Sequence, residues 1–353
     1  RPPTPVERSN KSTRVWRLST GAGIRRASRV SEPHTRDMSS SRRDTDSPLA
    51  DPAYVPPPPD NLPALRHIAD SIHVPFAFSH VTAAHILAWP MPWRSDVTRD
   101  IHVISDSSLN QVRRPGFIGH RGLESREITF LHGLPVITPA HTWTDLGELV
   151  GLGRPFGLDD IIAAGDQALN SGCTHEQLRS TVESRVRPRG KRTLIPAIPV
   201  CARGAESRPE TFWRLAIRRA RLPSPVLNRN VYDANSDFLF RPDASWPAKK
   251  VATEYQGEEW HDDPASHEAD GRRMAMAKRH GWTVLEVRSE HLWQKASRDA
   301  ALRQLADALD FPQSRLDLAM AEPQFFSAES AATLAENLER RLRRERARFA
   351  GGR

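Results

Sequence analysis

Between residues 62 and 199 the apolar positions switch between a period of two and a period near 3.6, as in a mixed α/β segment. "LPALRHIADS" reads as a short helix. "FAFSHVTAAHILAW" opens like a strand and turns helical at Ser79, an N-cap residue that puts Ala83, Ile86 and Leu87 on one buried face. "DIHVISD" alternates Ile101 and Val103 with polar partners, as a strand does, and "GFIGHR" and "EITFLHGLPVIT" follow. In the helix "PAHTWTDLGEL", Pro139 occupies a first turn, where a missing N–H is tolerated. "GLDDIIAAGDQAL" is amphipathic, and Thr174 and Gln177 have capping-box spacing ahead of a further helix. The segment closes near Pro199, after the basic loop "RVRPRGKR".

From residue 200 the pattern changes. "ESRPETFWRLAIRRARL" predicts a helix begun by Glu206 or Ser207, with Pro209 in its first turn and Phe212, Leu215, Ala216 and Arg219 at helical spacing. "PSPVLNRNVYD" reads as a strand, "DANSD" as a turn, and "FLFRPDASW" as a second strand. A third, "KKVATEYQG", is joined to it across Pro247 and Ala248. "SHEADGRRMAMAKRHG" is a helix stopped by Gly281, and "WTVLEVR" a fourth strand. The order is α-β-β-β-α-β. Beyond Pro312 a polar, charged helix with few apolar anchors is expected, its terminal arginines available to phosphates.

The expected organisation is therefore a tail over 1–60, a mixed α/β domain over 61–199, an α-β-β-β-α-β domain over 200–312 and a charged helix over 313–353. A chain of 353 residues has room for two cores. The tail, rich in Ser, Arg, Thr and Pro and ending in "YVPPPPD", cannot bury enough apolar surface to order itself and reads as disordered, with a polyproline spacer. The chain opens on Arg1 and its first methionine is Met38, a candidate start.

Lysine and arginine number 51 against 43 acids, a net charge of +8 that favours a polyanionic partner, nucleic acid first. Cys173 and Cys201 form no CxxC and read as ordinary thiols in a reducing cytoplasm. No apolar run approaches eighteen residues and no signal-peptide stretch opens the chain, so a cytoplasmic protein without a membrane partner is expected. His80, His85, His102, His120, His132 and His141 share no metal-type spacing, apart from His80 and His85, and read as core or surface residues.

The acids are more informative. Asp243 lies near the end of the second strand of the later domain and Glu254 eleven residues on, in the third. A tight hairpin sets two such carboxylates side by side, where they repel unless a cation intervenes. Mg²⁺ or Mn²⁺, held by a couple of carboxylates and waters, removes the conflict. Glu210, one turn into the preceding helix, brings a third acid, and His261 is a candidate general base. Asp237 is the competing aspartate, but it sits in a turn. Trp260, taken by itself, reads as a packing residue.

"PDASWPAKKVATEYQGEEWH" followed by "DGRRMAMAKRHGWTVLEVR" resembles the very-short-patch-repair-type endonucleases, and the element order resembles the wider PD-(D/E)XK nuclease superfamily, over residues 205 to 295. The resemblance implies a restriction-endonuclease-like core. In it Asp243 matches the metal-binding aspartate, Glu254 the glutamate and Glu210 the helical glutamate. Gly257 matches the turn glycine, Trp260 and His261 the Trp-His pair, and Asp270 with Arg273 the helix pair; the resemblance implies that Trp260 flanks the site as a stacking surface for a base. The chain departs at Gln256, where the superfamily has lysine and the narrower family usually aspartate. Lys249, Lys250 or Lys278 are candidates for the missing cation, and Arg272 and Arg273 join them as DNA contacts. Residues 60 to 195, through "SHVTAAHILAWPMP", "GLPVITPAHTWTDL" and "DDIIAAGDQAL", are similar to an abortive-infection antitoxin-like (AbiEi-like) region of actinobacterial proteins.

The function expected is a metal-dependent DNA endonuclease in DNA repair or phage defence, with DNA as partner, a cognate toxin as a second candidate, and no small-molecule cofactor. The alternative is a non-catalytic, antitoxin-type DNA-binding regulator that uses "RVRPRGKR" and "AIRRAR" for phosphate contacts. Gln256 favours the regulator; Asp243, Glu254 and His261 favour the enzyme.

Overall fold

A computed structural model describes residues 56–92, 100–151, 154–185, 190–257 and 264–324. Its first elements are α1 (Leu62–Ser71), β1 (Phe76–Phe78) and α2 (His80–Ile86). Ser79 is the N-cap by position, but its hydroxyl makes no capping bond and instead meets Nδ1 of His80 at 3.0 Å. Strands β2 (Ile101–Ser105), β3 (Phe117–Arg121), β4 (Ile128–Leu131) and β5 (Leu134–Ile137) complete a mixed sheet ordered β3-β2-β1-β5-β4. Pairs β1–β5 and β2–β3 are parallel; β1–β2 and β4–β5 are antiparallel. The two residues turning the β4–β5 hairpin, His132 and Gly133, take φ of 52° and 81°, the positive values whose twist suits the flanking strands.

Helices α3 (Pro139–Leu146), α4 (Leu158–Asn170), α5 (His175–Glu183) and α6 (Lys191–Ala197) follow. The capping box ahead of α5 forms as its spacing predicts, Thr174 Oγ1 accepting from the Gln177 N–H at 3.1 Å and Gln177 Oε1 from the Thr174 N–H at 2.8 Å. Every residue of α4 but its first is buried, so the helix is central rather than lying on a surface as its amphipathic pattern suggests. Gly165 makes this possible, because a Cβ there would collide with Sγ of Cys201.

The second half contains α7 (Arg208–Arg219), β6 (Val226–Leu227), β7 (Val231–Tyr232), β8 (Phe238–Phe240), β9 (Ala244–Trp246), β10 (Val251–Tyr255), α8 (Pro264–Arg279), β11 (Thr283–Val287), α9 (Ser289–Trp293) and α10 (Lys295–Ala308). The strands expected over "PSPVLNRNVYD" and "FLFRPDASW" are each broken in two. Asn228, at φ 44°, turns the chain out of β6, and Pro242 has no N–H for a ladder. β7 and β8 therefore form a hairpin of their own, while β6 and β9 enter a mixed sheet ordered β11-β10-β9-β6. Beyond Pro312 the described chain holds one 3₁₀ turn, Gln313–Arg315. The charged helix expected after it falls in 325–353, outside the described residues, as does the tail up to residue 55.

This second sheet is covered on both faces. Val251, Val287 and Trp246 pack with Phe212, Trp213, Leu302 and Leu305 of α7 and α10. On the other face Ala252 meets Phe240, Ala277 and Trp282. The fold is thus mixed α/β with two mixed sheets. Three Asp–Arg pairs bind α4 to α7: Asp160–Arg208 at 2.6 Å, Asp166–Arg214 at 2.7 Å, and Asp159–Arg219. Among the described residues no helix is long and apolar enough to cross a membrane.

Candidate active site

The acids singled out in the sequence converge where the start of α7 meets β6, β9 and β10. Ser207 caps α7, its Oγ accepting from the Glu210 N–H at 3.3 Å. Glu210 Oε2 turns back and accepts from the Glu206 N–H at 2.8 Å and from Asn228 Nδ2 at 2.6 Å. Asn228 also ties β6 to β9, its N–H donating to the Asp243 carbonyl at 3.0 Å. Asp243, just before β9, accepts at Oδ2 from the Tyr255 N–H at 2.6 Å.

Register explains the juxtaposition. β9 and β10 are antiparallel with Ala244 opposite Thr253, so one step further Asp243 stands opposite Glu254 and both side chains leave the same face. β11 continues the row, since Glu286 is in register with Glu254 across a parallel pair. Glu286 escaped the sequence reading because only strand order and register bring it there. It is exposed, and Arg288 pairs with it at 3.0 Å.

Burial makes the acids unusual. Glu254 is 6% exposed. Loss of solvent, then the charge of Asp243, pushes Glu210 up to about 7. Loss of solvent also raises Asp243, to about 6; the Tyr255 N–H opposes this, Glu254 and Glu206 add to it, and Arg241 opposes it. Arg241 is itself engaged by the Glu206 carboxylate and by the Asn228 carbonyl, the latter at 3.0 Å. A row of buried oxygen donors suits a hard divalent cation. The carboxylates of Glu210, Asp243 and Glu254 do not form a group whose oxygens all lie within 4.8 Å of one another; such groups, among the described residues, are built around His80.

The other expected site residues fall in several places. Gln256 is two residues beyond Glu254, on the same face by strand alternation, and its N–H donates to the Val287 carbonyl at 2.7 Å. Lys250 is at the opposite end of β10, roughly 13 Å from Glu254 at strand rise, and Lys249 lies one residue beyond it. Lys249 is paired with Asp310 at 3.0 Å, and Lys250 donates to the His280 carbonyl at 3.0 Å. Neither supplies a cation to the acids. Lys278 is exposed in the last turn of α8, and Arg273 is exposed on the same helix. Arg272 and Asp270 are on α8, with side chains outside the described set, and Trp260 and His261 lie outside the described residues. Asp237 sits in the β7–β8 turn, its N–H donating to Asp233 Oδ1 at 2.9 Å, far in character from the buried acids.

Of the basic segment "AIRRAR", Arg219 is taken by Asp159 and Arg221 by Asp317, the latter at 3.1 Å, while Arg218 is exposed. In the first sheet, His80, His102 and His120 come together although nothing in their spacing announced it. His85 bonds Asn61, His132 bonds the Pro56 carbonyl, and His141 faces Arg185.

No family model matches the chain, and no solved structure matches it. It is similar to two proteins of Mycobacterium tuberculosis, "Uncharacterized protein MT2308" and "Uncharacterized protein Rv2248", from two strains. Each is 30% identical over 169 residues, which is 47% of this chain and 59% of the relative. The aligned region thus spans under two thirds of either relative.

Proposed function

We propose that this chain is a metal-dependent DNA endonuclease-like protein of the very-short-patch-repair type, hydrolysing phosphodiester bonds. The observation that carries the reading is the pairing of Asp243 with Glu254 on one sheet face, with Glu210 beside Asp243 and burial raising both Glu210 and Asp243. The element order adds support: a helix, an antiparallel run β6-β9-β10, then α8 and a parallel return to β11, as in a restriction-endonuclease-like core.

The all-oxygen donor set fits Mg²⁺ or Mn²⁺, with Asp243 and Glu254 as the residues that would hold it. When bound, such an ion neutralises phosphodiester charge and activates water. The Tyr255 N–H fixes the rotation of Asp243. Glu210 accepts two bonds at Oε2, so a proton it takes near neutral pH sits on Oε1. Gln256 offers a neutral amide to orient a water where related nucleases place a charge.

The second reading is a non-catalytic DNA-binding regulator of antitoxin type, with the AbiEi-like first half serving a cognate toxin. Gln256 and the looseness of the acid trio favour it. Supercoiled plasmid with Mg²⁺ or Mn²⁺ separates the two. The endonuclease reading expects nicking by the native protein and none by Asp243→Ala or Glu254→Ala. A native protein that is inert with both ions, yet retards DNA in a salt-dependent way, leaves the regulator.

A further inference from the structure

His80, His102 and His120 are drawn together by the first sheet. In the parallel pair β2–β3, His102 is in register with Ile118, and His120, two residues beyond Ile118, leaves the same face. His80 opens α2 in the left-handed region, at φ 49°, with its ring against both. The His80 and His120 rings stack with centroids 3.7 Å apart, and His102 Nδ1 is 3.0 Å from His120 Nε2. One ring nitrogen from each histidine lies within 4.8 Å of the others, and His80 makes an equally close group with the carboxylates of Asp145 and Glu148.

Four buried atoms in and around this cluster have no hydrogen-bond partner: Nε2 of His80, Oδ2 of Asp145, and Nε of Arg126 and of Arg185. His80 is 1% exposed; its Nδ1 is satisfied by Ser79 Oγ, but Nε2 has nothing. Glu148 Oε2, at 3.9 Å, is too far for a hydrogen bond. Asp145 is fully buried; Oδ1 receives Arg126 and Arg185, and Oδ2 receives nothing. Unpaired atoms of this kind are rare in folded interiors. In the tautomer whose Nδ1–H donates to Ser79, the Nε2 of His80 offers a lone pair, the form a metal takes.

We infer that His80, His102, His120 and Glu148 bind one first-row divalent cation of the zinc class, with Asp145 supplying buried negative charge beside it. Imidazole donors select zinc-type ions over Mg²⁺, so this centre and the oxygen-lined acid row draw on different metals. The two arginines on Asp145 leave Glu148, 27% exposed, as the carboxylate able to close on the ion. The stacked rings of His80 and His120 tilt apart on binding, since both nitrogens have to point at one centre.

The test uses the full chain, stripped with chelator and titrated with Zn²⁺ against a chromophoric competitor. One tight equivalent per chain is expected, and Co²⁺ in its place gives the d–d absorption of low-coordinate nitrogen and oxygen ligation. His80→Gln and His120→Gln lose that equivalent, Glu148→Gln weakens it roughly ten-fold or more, and Glu254→Gln leaves it intact, which separates this centre from the acid row. Should the buried-histidine variants fail to fold, X-ray absorption on the zinc-loaded native protein decides, by counting imidazoles around the ion. Three support the site. Two or fewer overturn it, as does a native protein that takes up no tight equivalent, or binding that persists in both folded histidine variants.

Discussion

The N–H of Tyr255 on β10 donates a 2.6 Å hydrogen bond to Oδ2 of Asp243, just ahead of the neighbouring strand β9. That bond fixes the Asp243 side chain opposite Glu254, and it also partly offsets the cost of burying the carboxylate.

Asp243→Asn keeps an oxygen for the Tyr255 N–H and removes one of the repelling charges. In chelator this variant is expected to be more stable than the native protein by about 1–3 kcal/mol, given a pKa raised by roughly two. Under the endonuclease reading it loses Mn²⁺ binding and nicking at the same time. Calorimetry with Mn²⁺ beside thermal unfolding measures both; a variant that is destabilised in chelator argues against charge conflict in the cluster.

The pH dependence follows from the same acids. Glu210 and Asp243 have folded pKa values near 7 and 6, above their ordinary values. A carboxyl raised by folding binds its proton more tightly when folded, so its contribution is full below the unfolded pKa and is lost as pH rises through the folded one. Without divalent ions the protein should lose stability between about pH 4.5 and pH 7, on the order of a few kcal/mol. Glu210→Gln flattens that slope, and Mn²⁺ flattens it in the native protein. Urea midpoints at four pH values suffice, and a slope identical in Glu210→Gln would remove Glu210 from the account.

Arg214 holds Asp166 through two bonds of 3.0 and 2.7 Å, and Thr211 and the Ala202 N–H complete the carboxylate. Arg214→Met strands a buried charge between α4 and α7 and is expected to cost about 3–5 kcal/mol. Adding Asp166→Leu recovers much of that loss. Denaturant unfolding of the single and double variants checks it.

Gly165→Ala improves helix propensity yet destabilises the fold, by about 1–3 kcal/mol, because the new Cβ meets Cys201 Sγ. Gly165→Ala combined with Cys201→Ala recovers stability if that contact is the cause.

Gln256→Lys places a cation two residues after Glu254, on the same face. Under the endonuclease reading it speeds plasmid nicking ten-fold or more, an amount worth about 1.4 kcal/mol of barrier. An unchanged rate shows that the residue at this position does not limit cleavage.

The legible parts of the sequence were those with local causes. The Thr174–Gln177 box, the cap at Ser207, the strand over Ile101–Ser105 and the stop at Gly281 all depend on residues within one turn or one strand. The spacing of Asp243 and Glu254 belongs here too, because a hairpin turns eleven residues into neighbours. Less legible was α4, whose pattern looked one-sided. Its polar face holds Asp159, Asp160 and Asp166, and these are buried only because α7 brings three arginines to meet them.

By itself, then, the sequence determined the mixed α/β class, the caps and turns, and the nearness of two acids joined by a tight connection. The tertiary structure alone decided which strands of the second half share a sheet, that Glu286 extends the acid row, and that Lys249 and Lys250 stand at the far end of it. It alone gathered His80, His102 and His120. Parallel pairing and helix packing join residues across loops of any length, and no spacing along a chain records which partners they select.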